Sequence, residues 1–504
     1  MTTDKTKQKM IIVDLDGTLI KTDSMIESVI SVLKDNPLRI FSLLSKLLKG
    51  KVDFKKYVFE HCDFPSFAGT FPVNSELVDY LKEEKKNGSK LYLVSASDER
   101  AVKASAEALE LTDLFDGIYG TTDKTNLKGQ NKLDFIKNHI SKLNGEDEII
   151  YCGDSRSDLD IWKDNSVDGA VLVGNKTDKL AEELASLNLT DKVNHVFSLE
   201  KTCLKGYLQA IRMHQWAKNA LLFVPLLCSF TFFDIAKDLL TLLAFISFSL
   251  GASATYILND LWDLPSDRVH PTKCKRPFAS GKLSIEKGFV TAVGLLVTSA
   301  LLAGIVSFHF LTFLIFYLIL TTSYSIVFKR IVLLDIIVLA SLYITRIVAG
   351  NVVCNIEISY WLLSFSFMIF LSLGTLKRYV ELQKKQKKST NKIDNDDKNS
   401  KAIAGRGYST DDLELLIPLG ISTYIGSIVL FGIYITSSEM VRHYSSPQLL
   451  WFVQIIFLYL IGDMWFVAKR GKMLDDPVLY FVKNKKCLMC LVAITVLAIV
   501  AYYL

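Results

Sequence analysis

Hydrophobic residues follow two different patterns along the chain, and the pattern changes near residue 200. In the first part the apolar runs are short, at residues 11–13, 91–94 and 149–151, and polar residues flank each of them. Runs of this length are typical of buried parallel strands that alternate with helices. The first part of the chain therefore predicts an α/β domain with a parallel sheet.

After residue 218 the apolar runs become long enough to cross a lipid bilayer. Runs of about 16 to 22 residues follow one another, and a helix of about 20 residues spans the hydrocarbon core. Most of the tryptophans lie in this part, several near the ends of runs, where aromatic side chains favour the membrane interface. We therefore predict an all-α polytopic membrane domain. About nine transmembrane helices are expected, at residues 219–233, 239–258, 289–308, 310–327, 331–349, 358–376, 415–435, 449–467 and 487–503.

The two patterns divide the chain into three parts. We expect a soluble domain at residues 1–195, a linker with an interfacial helix at 196–218, and the membrane domain at 219–504. The composition of the 504 residues agrees with this division. A mean hydropathy of +0.28 with 50% hydrophobic residues is high for a soluble enzyme, whereas 22% charged residues is high for a chain that lies wholly in lipid. The composition excludes a disordered chain and a secreted disulfide scaffold. The net charge of +5 gives no reason to expect nucleic acid as a partner.

The Lys and Arg residues between the predicted spans indicate the orientation of the membrane domain. The loops on one side, 259–288, 328–330, 377–413 and 468–486, carry 24 of them, and the other side has only Lys237 and Arg442. Cytoplasmic loops carry the excess of positive charge. We therefore expect a multi-pass protein of the inner (cytoplasmic) membrane with its soluble domain in the cytosol and its C-terminus outside. Residues 1–9 are polar and show no signal peptide, which agrees with a cytosolic first domain.

Residues that can carry chemistry follow the predicted strands of the first part. Asp14 and Asp16 come directly after the first strand, in the sequence DLDGT, and Ser95 ends the second strand. Two carboxylates two residues apart suit a nucleophile with an acid/base partner, and Gly17 lets the backbone turn tightly towards a phosphate. Further polar positions follow later in the chain: Lys128, Lys132 and the sequence GDSRSD at 153–158.

This ordered set of motifs resembles the phosphatase branch of the haloacid-dehalogenase-like (HAD) superfamily, over about residues 8–190. The resemblance implies a Rossmann-like domain with a small helical cap at about residues 20–88. It implies that Asp14 is the nucleophile that becomes an aspartyl phosphate and that Asp16 is the general acid/base. Ser95 would bind phosphoryl oxygens, and Lys132, or Lys128 in its place, would balance their charge. The residues implied to hold Mg²⁺ are Asp14, Asp16, Asp154 and Asp158.

Residues 38–49, inside the stretch that resembles a cap, are both apolar and basic. Placed on a helix, their Leu, Ile and Phe side chains cover a wide arc. Two interpretations remain open at this point. The segment is either a cap helix packed on the domain or a surface that touches an anionic membrane.

A second group of residues that can carry chemistry lies at the cytosolic end of the second predicted span. Asn259 is followed by three acids, Asp260, Asp263 and Asp267. On a helix this spacing places the carboxylates on one face, where a divalent cation would relieve their repulsion and could bridge a diphosphate. Three cations just downstream would contact phosphates directly: Lys273, Lys275 and Arg276.

The acid motif NDxxDxxxD resembles the first motif of the UbiA superfamily of intramembrane prenyltransferases, over about residues 203–504. Several further segments resemble decaprenyl-phosphate phosphoribosyltransferases in particular: RMHQWAKN at 212–219, DRxHPxKxxRP at 267–277, the stretch 324–335, KRY at 377–379, Glu381 and RGY at 406–408. The resemblance implies that Asp260, Asp263 and Asp267 are catalytic and hold Mg²⁺. The residues implied to bind substrate are Asn259, Lys218, Arg268, His270, Lys273, Lys275, Arg276, Tyr324, Lys329, Asp335, Arg346, Lys377, Arg378 and Arg406.

One departure from the UbiA pattern bears on the substrate. Classical members carry a second acidic motif of the DxxxD kind, whereas here Asp335 is followed four residues later by Leu339. One metal ion on phosphoribosyl diphosphate (PRPP) therefore fits better than two on a prenyl diphosphate. Arg346 lies inside a predicted span, where charged residues usually face a cavity. Lys329 is either a site residue or a positive anchor at the membrane edge.

These resemblances together predict a bifunctional, Mg²⁺-dependent enzyme. The membrane domain would move 5-phosphoribose from PRPP to a polyprenyl phosphate with release of diphosphate. The HAD domain would then remove the 5-phosphate, giving a lipid-linked ribose for cell-envelope glycan synthesis. The main alternative is an aromatic prenyltransferase that uses a prenyl diphosphate, with a HAD domain that acts on an unrelated phosphate or as a scaffold. The prenyl chain length, the final glycan and the oligomeric state are left open by the sequence.

Overall fold

The computed structural model describes residues 9–122, 125–140, 148–199, 204–229, 234–390, 406–473 and 476–504. The chain forms two compact units. The first unit comprises Met1–Arg212 and Tyr256–Val293, and the second comprises Met213–Thr255 and Gly294–Leu504. The acid motif therefore belongs to the first unit, together with the α/β domain.

A sheet of six parallel strands forms the centre of the first unit. The strands are β1 Lys9–Val13, β2 Lys90–Asp98, β3 Gly117–Thr121, β4 Glu148–Gly153, β5 Gly169–Gly174 and β6 Val193–Ser198. Their order in the sheet is β3-β2-β1-β4-β5-β6. The three strands predicted from short apolar runs are β1, β2 and β4, which are adjacent in the sheet, so this prediction is confirmed.

The helices of this part of the chain are α1 Ser24–Asp35, α2 Arg39–Lys49, α3 Lys51–Glu60, α4 Pro65–Ala68, α5 Ser75–Lys86, α6 Glu99–Ala108, α7 Gln130–Phe135, α8 Leu159–Trp162, α9 Thr177–Ser186 and α10 Leu204–Ala210. Helices α5 and α6 pack on one face of the sheet, and α7, α8 and α9 pack on the other. Because side chains alternate along a strand, Ile11 and Val13 of β1 pack in one hydrophobic cluster, and Met10 and Ile12 pack in another on the opposite face. This two-sided burial confirms the Rossmann-like α/β fold.

A helical insert leaves and re-enters the sheet domain at a narrow neck. Ile20 and Val73 form an antiparallel bridge, and the Lys21 N–H donates a 2.7 Å hydrogen bond to the Pro72 carbonyl. The helices α1 to α4 lie between these points. Helix α5 follows the neck and packs Leu77 in the core of the sheet domain. The cap that we expected over residues 20–88 therefore ends near Val73.

Further helices follow in the part of the chain after residue 213 that the structure describes. They are α11 Val224–Cys228, α12 Ile235–Trp262, α13 Leu264–Val269, α14 Ile285–Val306, α15 Phe308–Ile326, α16 Leu334–Cys354, α17 Tyr360–Thr390, α18 Leu413–Ile435, α19 Ser438–His443, α20 Leu450–Lys469, α21 Pro477–Lys483 and α22 Lys485–Tyr503. Among the described residues, eight helices are long and apolar enough to cross a membrane, namely α12, α14 to α18, α20 and α22. The prediction of a polytopic helical membrane domain is confirmed.

The structure differs from the prediction at the first of the nine expected spans. A 3₁₀ stretch at Met213–Phe223 is followed by the short α11, and residues 230–233 lie outside the described part of the chain. Pro225 lies in the first turn of α11 and has no backbone N–H to continue a helix from the preceding residues. The described residues thus contain eight long helices where about nine spans were expected, and the outward C-terminus stays a prediction.

Candidate active sites

Asp14 lies at the C-terminal end of β1, beside a buried lysine. The Nζ of Lys132 is 2.9 Å from Asp14 Oδ2, whereas the side chain of Lys128 is exposed. The structure therefore places Lys132 in the position expected for the motif lysine. Lys132 also donates a 2.9 Å hydrogen bond to the Tyr151 hydroxyl, which in turn donates to Asp158 at 3.0 Å. Tyr151 is a member of this site that sequence reasoning missed.

Two donors that the sequence prediction missed hold the carboxylate of Asp16. The backbone N–H of Ser24 and the Ser97 hydroxyl each donate to it at 2.7 Å. Burial raises the pKa of Asp16 to about 7, and repulsion from Asp23 adds to this shift. Ser95 is buried two residues before Ser97, and its hydroxyl accepts a hydrogen bond from the Ser97 N–H. The spacing of the two serines was the available signal, since alternate residues of a strand face the same side.

Asp154 brings a further carboxylate to this group. Burial raises the pKa of Asp154 to about 8, and repulsion from Asp158, Asp14 and Asp16 adds to this shift. Gathered carboxylate oxygens are the donors that Mg²⁺ prefers. In the described part of the chain, no set of three or more His, Cys, Asp or Glu side chains lies in metal-ligating geometry. The donor chemistry fits Mg²⁺, and its binding here stays a prediction.

Gly17 makes room for the Asp154 carboxylate. Its φ is +76°, and a Cβ at this position would collide with the Asp154 side chain. We expect Gly17→Ala to lower phosphatase activity by about a hundredfold, because small displacements of reacting groups have effects of that size. Hydrolysis of a soluble aryl phosphate measures this. Gly129→Ala is the control, since Gly129 also has a positive φ of +57° but nothing within 4 Å of the new Cβ. Equal losses in both variants would contradict the steric explanation.

The acid motif of the first unit is divided between two helices. Helix α12 ends at Trp262, and α13 begins after an interruption at Asp263, whose φ and ψ are −96° and 12°. Pro265 in the first turn of α13 has no N–H to donate, which favours a new helix start there. The three acids therefore do not lie on one continuous helix.

Two of the three acids nevertheless meet around one arginine. The Nη1 of Arg276 is 3.0 Å from Asp260 Oδ1 and 2.5 Å from Asp267 Oδ2. Arg212 also pairs with Asp260, and the Nζ of Lys273 is 3.6 Å from Asp267 Oδ1. The Oδ1 of Asp267 is buried and makes no hydrogen bond within the described residues. Carboxylates that converge on one cation position fit a divalent ion, although in this structure the arginine holds that position.

Other residues predicted to bind substrate at this motif have protein neighbours. Arg268 forms two hydrogen bonds of 2.8 and 2.7 Å to Glu27 of α1, and both side chains are almost completely buried. The Nδ1 of His270 lies 3.2 Å from the Thr272 N–H, which donates to it. Lys275 is exposed. The Asn259 carbonyl accepts from the backbone N–H four residues later. A substrate contact of Arg268 would require it to leave Glu27, a partner that no local sequence pattern indicates.

In the second unit, four predicted substrate-binding residues come together. Asp335, near the start of α16, accepts hydrogen bonds from the Tyr324 hydroxyl at 2.7 Å and from Arg378 Nη2 at 3.1 Å. Arg378 Nε also pairs with Asp335, and Arg406 Nη1 lies 3.2 Å from it. Glu381 accepts from Arg378 Nη1 at 2.7 Å. Asp335 and Arg378 are completely buried, and protein cations engage both oxygens of Asp335.

Lys218 and Lys377 share one carboxylate, that of Asp476. Their Nζ atoms lie 2.8 and 3.2 Å from Asp476 Oδ2. Burial alone would raise the pKa of Asp476, but the two lysines hold it well below its ordinary value. Asp476 was not predicted, and it lies far from both lysines in sequence. Lys329 is partly buried in the 3₁₀ turn Phe328–Arg330.

Arg346 is buried within the second unit, as expected for a charged residue inside a span. Its Nε donates to Asn219 Oδ1 at 2.9 Å, and its Nη2 donates to the Tyr317 hydroxyl at 2.8 Å. Its guanidinium also lies over the rings of Phe248 and Tyr343. The guanidinium of Arg346 thus has polar and aromatic partners inside the protein. A contact of Arg346 with substrate stays a prediction.

The two halves of the chain match two different family models. The haloacid dehalogenase-like hydrolase model matches residues 11–163, and the UbiA prenyltransferase family model matches residues 220–393. The first match contains Asp14, Lys132 and Asp158, and the second contains the acid motif and Asp335.

Three relatives are similar in sequence. The protein y4nM of Sinorhizobium fredii, named as uncharacterized, is 32% identical over 477 residues, which cover 94% of this chain and 87% of that protein. Nodulation protein NoeC of Azorhizobium caulinodans is 31% identical over 291 residues, covering 57% of this chain and 90% of that protein. Decaprenyl-phosphate phosphoribosyltransferase of Mycobacterium tuberculosis is 34% identical over 186 residues, covering 35% of this chain and 60% of that protein. The chain thus belongs to the UbiA prenyltransferase family through its membrane domain, joined to a haloacid dehalogenase-like hydrolase domain.

Proposed function

We propose that the membrane domain transfers 5-phosphoribose from PRPP to a polyprenyl phosphate and that the HAD domain then removes the 5-phosphate. The final product is a polyprenyl phosphoryl ribose, which can donate a pentose to cell-envelope glycans. The name and 34% identity of the mycobacterial relative support this choice of donor and acceptor. The proposal places both reactions on the cytosolic side of the inner membrane.

The observation that carries this proposal is the state of Asp335. A donor held by two metal ions needs a second group of free carboxylates. Asp335 is the acid found where UbiA members carry their second acidic motif. Here Arg378 engages both of its oxygens in a fully buried pair, and the acid expected four residues later is Leu339. Arg406, which is partly exposed, instead supplies a cation that suits a phosphate group. This favours a lipid phosphate as acceptor over a prenyl diphosphate as donor.

In the transfer step, the acid motif binds the diphosphate of PRPP. Mg²⁺, when bound by Asp260 and Asp267, would neutralise diphosphate charge as that group leaves. Arg276 and Lys273 lie beside these acids and contact phosphate oxygens. The bond between ribose C1 and the diphosphate oxygen breaks, and an oxygen of the lipid phosphate bonds to C1. No general base is needed, because the lipid phosphate is already an anion near neutral pH.

In the phosphatase step, Asp14 attacks the phosphorus of the 5-phosphate. The bond from phosphorus to the ribose oxygen breaks, and Asp16 gives a proton to that oxygen. Lys132 balances the negative charge that gathers on the transferred group. Water then attacks the aspartyl phosphate, Asp16 takes its proton, and inorganic phosphate leaves. A single chain keeps the second site at high local concentration for the first product.

The direct test is an assay of the purified full-length protein with PRPP, polyprenyl phosphate and Mg²⁺. We expect mass spectrometry to find polyprenyl phosphoryl ribose in the lipid fraction and free inorganic phosphate in solution. A parallel reaction receives a prenyl diphosphate with an aromatic acceptor instead. Prenylation of the aromatic acceptor, with no ribose on the lipid, would show that the alternative function is correct.

Arg406 is the residue through which lipid phosphate binding can be tested separately. Arg406 is partly exposed, unlike Arg378, and its loss removes one charge-assisted contact. We expect Arg406→Gln to raise the KM for polyprenyl phosphate about tenfold, the size of one such contact, and to leave the KM for PRPP unchanged. Arg470→Gln, an exposed residue after α20, is the matched control. A rise in the KM for PRPP alone would assign Arg406 to the donor.

A further inference from the structure

Helix α2 leaves most of its apolar side chains in contact with solvent. Of its residues only Leu43 is buried. The exposed fractions reach 71% for Phe41 and 90% for Leu48. The large apolar side chains exposed along this segment are Leu38, Ile40, Phe41, Leu44, Leu47 and Leu48. Water-facing surfaces rarely carry so many adjacent apolar groups, which indicates a partner for this face.

Apolar and polar residues occupy opposite sides of α2. A helix turns by about 100° per residue, so its apolar side chains cover an arc of about 160° around the helix axis. Around this arc they follow the order Leu43, Leu47, Ile40, Leu44, Leu48 and Phe41. Leu43 lies at one edge of this arc, where it packs against Val32 and Val58. The domain therefore covers one edge of the face and leaves the rest exposed. The remaining arc holds Arg39, Ser42, Ser45, Lys46 and Lys49.

The charge of the segment identifies the kind of partner. Residues 38–52 contain four cations and no acid. Arg39 is paired with Asp35 at 2.6 Å, and Lys49 and Lys51 are exposed. An apolar helix face with cations on the remaining arc and just after the helix fits the acyl chains and anionic headgroups of a bilayer surface. A bilayer is always close, because the same chain carries the membrane spans.

We propose that α2 binds the surface of an anionic membrane. Its apolar face enters the interface between headgroups and acyl chains, and Lys46, Lys49 and Lys51 contact lipid phosphates. This inference rests on the exposure and charge of α2 and is independent of the substrates of either reaction. It assigns to the helical insert of the HAD domain the task of holding that domain at the surface where lipid-linked phosphates are found.

Photo-cross-linking in the full-length protein tests the apolar contact. A benzophenone amino acid is placed at Leu48, on the exposed apolar arc, or at Ser42, on the polar arc, and the protein is reconstituted in phosphatidylglycerol and phosphatidylcholine vesicles. We expect about a tenfold higher yield of lipid adduct at Leu48 than at Ser42. Equal yields at the two positions, or cross-links from Leu48 to a second copy of the chain, would overturn the proposal.

A second set of variants tests the role of charge. Lys46→Gln, Lys49→Gln and Lys51→Gln are combined and compared with Lys82→Gln, Lys86→Gln and Lys179→Gln, three exposed lysines of the sheet domain. The α2 variant is expected to lower the adduct yield at Leu48 about tenfold in phosphatidylglycerol vesicles, and the control variant is not. Hydrolysis of a soluble aryl phosphate stays unchanged in both and reports correct folding. An unchanged adduct yield in the α2 variant refutes binding to anionic lipid.

Discussion

Asp14→Asn is expected to yield a protein that makes polyprenyl phosphoryl 5-phosphoribose and does not remove its 5-phosphate. The amide keeps the size of the side chain but is not a nucleophile, so no aspartyl phosphate can form. We expect phosphate release to fall by at least about a thousandfold, as in other enzymes that lose their nucleophile. The transfer of phosphoribose continues, because Asp14 has no part in it.

Mass spectrometry of the lipid fraction measures this effect, since the intermediate is heavier than the final product by one phosphate. Asp160→Asn is the matched control, because Asp160 belongs to the same sheet domain, in α8, but its side chain is 64% exposed. It is expected to leave both reactions unchanged. If Asp14→Asn still releases the 5-phosphate at the normal rate, the HAD domain does not act on the lipid product.

Asp260→Asn has the opposite expected effect, with loss of transfer and retention of phosphatase activity. Asp260 and Asp267 meet at one cation position, which Arg276 holds in this structure. Without the Asp260 charge, a divalent cation loses a ligand and the leaving diphosphate loses its neutralising partner. We expect transfer of labelled phosphoribose from PRPP to lipid to fall by at least about a hundredfold.

Hydrolysis of a soluble aryl phosphate is the internal control for Asp260→Asn, because it requires a folded HAD domain but not the acid motif. Asp234→Asn, an acid with a 46% exposed side chain, is the control for the change of charge. Normal transfer by Asp260→Asn would exclude this acid from the transfer reaction. Loss of both activities would instead show that the Arg212 and Arg276 pairs stabilise the fold.

Much of the fold was predictable from local patterns. The apolar runs of β1, β2 and β4 predicted a parallel sheet, and the carboxyl ends of neighbouring parallel strands lie at one edge. For this reason the sequence alone places Asp14 and Ser95 in one site. Spans were predictable for a similar reason, because the thickness of the bilayer sets the length of an apolar helix. In the described part of the first predicted span, a 3₁₀ stretch and the short α11, with Pro225 in its first turn, replace one long helix.

The candidate sites were predicted less completely than the fold. Motifs pointed to Asp14, Asp16, Asp260 and Asp335 and to cations such as Lys132 and Arg276, but not to most of the contacts that hold the acids in place. Their partners come from other elements, as with Tyr151, Ser97 and Arg378. Arg378 was predicted as a substrate ligand, and the structure shows it paired with Asp335. Which charges pair depends on the folded path of the chain, and no local period contains that information.

Sequence was sufficient for the two domain types and the membrane character, since motif spacing and local hydrophobic period encode them. The tertiary structure alone decided that Lys132 faces Asp14, that Arg276 lies between two acids, and that Arg268 is held by Glu27. It also showed that α2 leaves most of its apolar side chains exposed, whereas its sequence pattern suited a packed helix as well. Burial depends on neighbours that are distant in sequence, and only the folded chain shows that α2 has so few of them.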